Sequence, residues 1–149
     1  MKRIPIQFNG YWRLRDKFAI PDISGVYCVY ENKYNVFSNR IEIIKLLYIG
    51  GSANVRYSIK NHPDYKKWLG EIDDGHELCF SVGYVDLEDC QRAKNALIFE
   101  HQPILNGEGF QLFPFPDTTI TLTISSCLLR NRFAVCQGDS ELLELDCAI

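Results

Sequence analysis

The stretch Leu46 to His62, LLYIGGSANVRYSIKNH, constrains the chain most. Four apolar residues, Leu46 to Ile49, read as a strand, and Gly50-Gly51 reads as its end. Ser52 is a good N-cap, since its hydroxyl can accept a free N–H of the first helical turn. Val55, Ile59 and His62 then recur at helical spacing. Pro63 has no backbone N–H, so a helix should end by His62.

A second strand precedes it, Ile23 to Glu31, ISGVYCVYE. Residues 32–45 join the two, and Ile41 to Ile44 extend the later one. After Pro63, Asp64 to Leu69 reads as one or two helical turns. His76 to Val85 alternates in the two-residue period of a strand, with Leu78, Phe80, Val82 and Tyr84 on one face. Leu87 to His101 is the clearest helix, its stripe being Cys90, Ala93, Ala96, Leu97 and Ile98. Pro103 closes it. The order β-β-α-(α)-β-α suits an α+β fold in which a small antiparallel three-stranded sheet is flanked by helices.

The flanks read differently. Residues 1–22 mix Phe8, Tyr11, Trp12 and Phe18 with five basic residues. They are expected as a lead-in packed on the domain of residues 23–110, with a nucleic-acid contact open to Arg13, Arg15 and Lys17. From Gln111 the chain turns β-rich. Thr118 to Ser125 is strongly β-forming, and Leu128-Leu129, Phe133 to Cys136 and Leu142 to Leu145 read as further short strands. Residues 111–149 are expected as an extension of the same domain. Phe113 to Pro116 reads as a stiff, exposed apolar loop, the kind of patch a protein partner would cover.

At 149 residues, 46% of them hydrophobic, the chain has enough apolar side chains for a real core. No run approaches the length of a membrane span, and the first sixteen residues hold no apolar stretch of signal-peptide length, so a cytoplasmic protein is expected. The six cysteines include no CxxC pair, and a zinc site is not expected. Cys28 and Cys79 fall inside apolar strands, where buried thiols are expected. The net charge of −3 hides an asymmetry, +7 over residues 1–70 and −10 over residues 71–149. One basic face is therefore open to the half that carries both tyrosine strands.

Gly25-Val26-Tyr27, Tyr48-Ile49-Gly50, a helix ending in His62, and a later helix running into Pro103 and Asn106 form an ordered set. That set resembles the GIY-YIG nuclease family over residues 25–106. The resemblance implies a Mg²⁺-dependent phosphodiester cleavage in which strand tyrosines act as base, a helix arginine steadies the phosphate, and a later glutamate holds the metal. Tyr27, Tyr48, Gly50 and Asn106 match the pattern. The arginine position falls on Ser58, eight residues after Gly50 and four before His62. Arg56 lies about 200° around the helix from it. The glutamate position falls on Lys94, and Glu100 lies about 240° around the later helix.

A lysine where a metal should sit replaces attraction by repulsion. The leading expectation is therefore a fold that no longer cleaves. Its former active-site pocket would bind a phosphate-bearing ligand, a nucleotide or nucleic acid, or a protein partner, through Tyr27, Tyr48, Gly50, Ser58, Lys94 and Asn106, with no metal or cofactor. Arg56 and Lys60 would add charge. One alternative is an active Mg²⁺ endonuclease using Tyr27, Tyr48 and Arg56, with Glu100 recruited to the metal. The other is an inhibitor- or antitoxin-like interaction module using residues 111–149. His62 and His101 stand at helix ends, and His76 is expected to be exposed.

Overall fold

A computed structural model describes residues 1–107, 112–123 and 128–138. The chain is α+β, built from two sheets and a few short helices. In chain order these are β1 (Lys2–Ile6), β2 (Phe8–Arg13), β3 (Gly25–Asn35), β4 (Arg40–Ser52), α1 (Val55–Lys60), α2 (Tyr65–Glu71), β5 (Glu77–Tyr84), α3 (Cys90–His101), β6 (Thr118–Leu122) and β7 (Arg132–Val135).

The main sheet has four strands rather than the three expected, in the antiparallel order β2-β5-β3-β4. The lead-in supplies the added strand, Phe8 to Arg13, along the free edge of β5. Gly10 breaks the alternation there, and the register shifts between Gly10 and Trp12, so no two-residue period marks this strand in the sequence. The lead-in also supplies β1 to a second sheet, β1-β6-β7, in which β1 runs parallel to β6. Pro5 fits there because β1 is an edge strand.

Both faces of the main sheet are covered. Tyr27, Val29, Leu47, Leu78, Phe80 and Val82 pack with Val55, Ile59 and Trp68 of α1 and α2. Val26, Cys28, Tyr30, Ile49 and Cys79 pack with α3 and the second sheet. Two bulges on β4 set these faces. Leu47 and Ile44 are each skipped in the pairing with β3, so Leu47 and Tyr48 both reach the α1–α2 side although they are adjacent in sequence.

The Gly50-Gly51 pair does not end β4, which continues to Ser52. Tyr27 is paired with Gly50, and a Cβ on Gly50 would lie 2.3 Å from Tyr27 Cζ. The glycine makes room for the ring. The N-cap of α1 is accordingly Asn54, whose side chain accepts the Tyr57 N–H at 3.1 Å, while Ser52 Oγ accepts the Asn54 N–H.

Downstream, Leu128 sits in a turn with φ +62°, where a strand was expected. Phe113 is buried against Phe99 and Phe115, so the expected exposed loop of Phe113 to Pro116 is anchored in the core. The expected strand at Leu142 to Leu145 lies outside the described residues. Cys28 and Cys79 are both buried in their strands. Among the described residues no helix is long and apolar enough to cross a membrane.

Because the Tyr27 ring fills the space above Gly50, Gly50→Ala must push it aside. Overpacking of this kind costs about 1–3 kcal/mol. Urea unfolding of the variant should show that loss, and unchanged stability would contradict the packing described.

Candidate functional site

A cleft of about 270 Å³ opens where β4 is the edge of the main sheet. Its walls include Tyr48 and Ile49 of β4, Asp64 and Lys67 at the start of α2, Lys94 of α3, and Asn106 of the loop after α3. Three separate segments thus meet at one strand edge.

Asn106 holds the loop to that edge. Its Oδ1 accepts the Ile49 N–H at 2.9 Å, and its Nδ2 donates to the Ile49 carbonyl at 2.8 Å. The Leu105 N–H donates to the Leu47 carbonyl beside it. The side chain does what a neighbouring strand would do, and one Nδ2 hydrogen stays uncommitted among the described residues.

Tyr48 and His62 form the aromatic wall. The Asp64 N–H donates to His62 Nδ1 at 3.0 Å, so that nitrogen is an acceptor and the proton lies on Nε2. His62 Nε2 is 3.2 Å from the Tyr48 hydroxyl and donates to it. Burial pushes the imidazole down from its ordinary pKa, against the opposing pull of Asp64, so it is neutral at pH 7. The Tyr48 oxygen accepts, and its own hydrogen is left to donate. The rings of His62, Tyr48 and Trp68 pack together, with centroids 4.6 to 5.4 Å apart.

Tyr27 lies one layer deeper. It is 1% exposed, its ring lies against Gly50, and it shares a 2.9 Å hydrogen bond with Ser58 Oγ. The Tyr27 and Tyr48 rings are 6.3 Å apart. Burial raises the pKa of both phenols, so both are protonated at neutral pH, the opposite of what a general base needs.

The charges in the cleft do not cancel. Lys67 Nζ lies 3.7 Å from Asp64, which neutralises that carboxylate. Lys94 has no ion pair among the described residues, and its half-buried ammonium has its pKa lowered by desolvation. Its stem packs over β4, where a Cβ on Gly51 would lie 3.2 Å from Lys94 Cβ. Among the described residues one cation of the cleft therefore stands without a counter-charge. The donor set of two lysines and one paired carboxylate does not suit a divalent metal, which takes several oxygen ligands.

Of the residues singled out from the sequence, Tyr48, Lys94 and Asn106 line this cleft, while Tyr27 and Ser58 support it from beneath. Arg56 Nε donates to the Ile20 carbonyl at 2.6 Å. Glu100 faces Arg130 at 3.5 Å. His101 Nδ1 donates to the Leu97 carbonyl, and its Nε2 accepts the Arg130 N–H. None of these three lines the cleft. Arg13 pairs with Glu77 at 2.6 Å, and Lys17 lies 5.0 Å from the centre of the Tyr65 ring. Lys67 and Asp64 were not foreseen; their place at the start of a helix just after His62 was the available signal.

Glu31, also unforeseen, is the buried charge of the main sheet at 1% exposure. Its Oε2 accepts the Asp73 N–H at 3.0 Å and lies 2.6 Å from His76 Nδ1, while Lys45 Nζ is 3.9 Å from Oε1. His76 is therefore part-buried and bonded, not exposed as expected. The ligand atoms of Glu31, Asp73 and His76 all lie within 4.8 Å of one another, a spacing that could hold a metal, but the carboxylate is already bonded by the Asp73 N–H and His76 and faces Lys45.

Comparison with known protein families, with curated proteins and with solved structures returned no match.

Burial alone would raise the Glu31 pKa; the Asp73 N–H, His76 and Lys45 outweigh it and hold it below the ordinary glutamate value. A carboxylate with a depressed folded pKa stabilises fully above its unfolded value, about 4.3. That contribution is lost as pH falls through the lower folded value. Thermal melts from pH 6 down to pH 3 should therefore decline more steeply for the native chain than for Glu31→Gln. Parallel curves would show that Glu31 does not carry this linkage.

Proposed function

We propose that this chain is a GIY-YIG-like domain that binds a phosphate-bearing ligand, a nucleotide or a short nucleic acid, in the cleft at the β4 edge instead of cutting it. One observation carries the reading: Lys94, at the position where the family pattern has its metal-holding glutamate, is a half-buried cation with no counter-charge among the described residues. An anion entering the cleft restores the balance that burial has removed. The Tyr48 hydroxyl, made a donor by His62, and the free Nδ2 hydrogen of Asn106 can add neutral hydrogen bonds. The four-stranded sheet contains the antiparallel trio β5-β3-β4 that the resemblance implies, extended by β2.

The two alternatives have less support. Cleavage would ask Arg56 and Glu100 to act in the cleft, and both are bonded elsewhere. The interaction-module reading rested on an exposed Phe113 to Pro116, and Phe113 is buried.

Inorganic pyrophosphate is a suitable probe for calorimetry at low salt. A hydrogen bond to a charged group is worth about 1.5–3 kcal/mol, so Lys94→Ala should weaken binding at least tenfold. Arg56→Ala should leave it unchanged. Equal affinity of the native chain and Lys94→Ala, or no binding by either, would refute the reading.

A further inference from the structure

The β3–β4 hairpin is longer than the sheet it belongs to. β5 pairs with β3 only as far as Asn32, opposite Glu77. Beyond that point Lys33 to Asn35 pair with Arg40 to Glu42 alone, so residues 33–42 form a two-stranded arm.

The tip of this arm is built, not slack. Asn35 Oδ1 accepts the N–H groups of Phe37 at 2.9 Å and Ser38 at 3.2 Å. The Tyr34 hydroxyl donates to Asn39 Oδ1, and Asn39 takes a left-handed φ of +57°. At the root, the Arg13 guanidinium stacks 3.5 Å from the centre of the Tyr34 ring and is itself held by Glu77.

This ordered turn points two apolar side chains at solvent: Val36 is 70% exposed and Phe37 is 98% exposed. Burying a phenylalanine is worth about 1.5–3 kcal/mol, and the fold forgoes that here while fixing the backbone that displays it. Lys33 and Arg40 flank the pair, both exposed and without an ion pair among the described residues. Glu42 is the one acid in residues 33–42.

We infer that the arm inserts Phe37 into nucleic acid as a wedge between stacked bases, with Lys33 and Arg40 on the adjoining phosphates. The chemistry fits: apolar side chains between base steps, cations on the backbone, and polar Asn35, Ser38 and Asn39 around them. One phenylalanine and one valine make too small an apolar surface for stable membrane attachment, for which even a fourteen-carbon acyl chain is marginal. The inference rests in part on the phosphate reading of the cleft. Val29, which pairs with Tyr48, is six residues from Asn35, so cleft and tip are about 20 Å apart along the strands. That is less than one turn of duplex, about 34 Å, so ten base pairs are long enough to reach both.

The test is a 20-base-pair duplex, and its single strand, carrying 2-aminopurine at successive positions. The native chain should raise the fluorescence at one step, reporting unstacking. Phe37→Ala should bind at least tenfold more weakly and give no rise, whereas Phe37→Trp should retain both. Lys33→Ala and Arg40→Ala should each lower the slope of log affinity against log salt by about one. The inference is overturned if the native chain binds neither form. It is equally overturned if Phe37→Ala behaves like the native chain, or if Phe37 matters only for binding vesicles of phosphatidylserine and phosphatidylcholine. The two readings fail separately. Pyrophosphate binding through Lys94 without a Phe37 effect removes the wedge alone. A Phe37-dependent rise without pyrophosphate binding removes the cleft reading alone.

Discussion

The ring of Tyr27 lies where any side chain on Gly50 would have to be. This contact fixes more than one glycine. It requires β3 and β4 to pair with Tyr27 opposite Gly50, and that register puts Val29 opposite Tyr48 and Cys28 opposite Ile49. Partners across an antiparallel pair share a face, so Tyr48 joins Tyr27 on the α1–α2 side while Ile49 faces α3. A one-residue slip would turn every one of these side chains to the other face. The bulge at Leu47 then lets two neighbouring residues serve the same core, and Tyr48 reaches the strand edge where the cleft lies.

An edge strand offers unpaired backbone groups, and this one is closed by a side chain. Asn106 and Leu105 meet the polar groups of Ile49 and Leu47, which brings the end of the α3 loop against β4. Lys94 arrives from α3 and Lys67 from α2, and among the described residues the one carboxylate lining the cleft is paired with Lys67. The proposed reading follows from that geometry: a cleft bounded by a protonated phenol, a neutral imidazole and an ammonium without an ion pair among the described residues would favour an anion over a metal ion.

Much of this was legible in the sequence, for local reasons. The helix of residues 87–101 and the strand of residues 76–85 carry their periods openly. Counting back from Pro103 and Asn106 identified Lys94, and counting from Gly50 identified Ser58; Lys94 lines the cleft and Ser58 lies beneath it, bonded to Tyr27. What escaped was non-local or irregular. Gly10 and a register shift hide β2, and β1 is a strand only because β6, more than a hundred residues later, lies beside it. The apolar run Leu46 to Ile49 conceals its bulge, since four apolar residues look alike on either face. Glu31 reads as an ordinary polar residue until Lys45, Asp73 and His76 converge on it.

In the proposed reading, Lys94 stands where the family pattern has its metal ligand. Calorimetric titration of Mn²⁺ into the native chain and into Lys94→Glu tests this directly. The account predicts no binding in the cleft of the native chain and a new site in Lys94→Glu, lost again on return to lysine. Binding of Mn²⁺ in the native cleft, read by paramagnetic broadening of Tyr48 and Asn106 resonances, would contradict it.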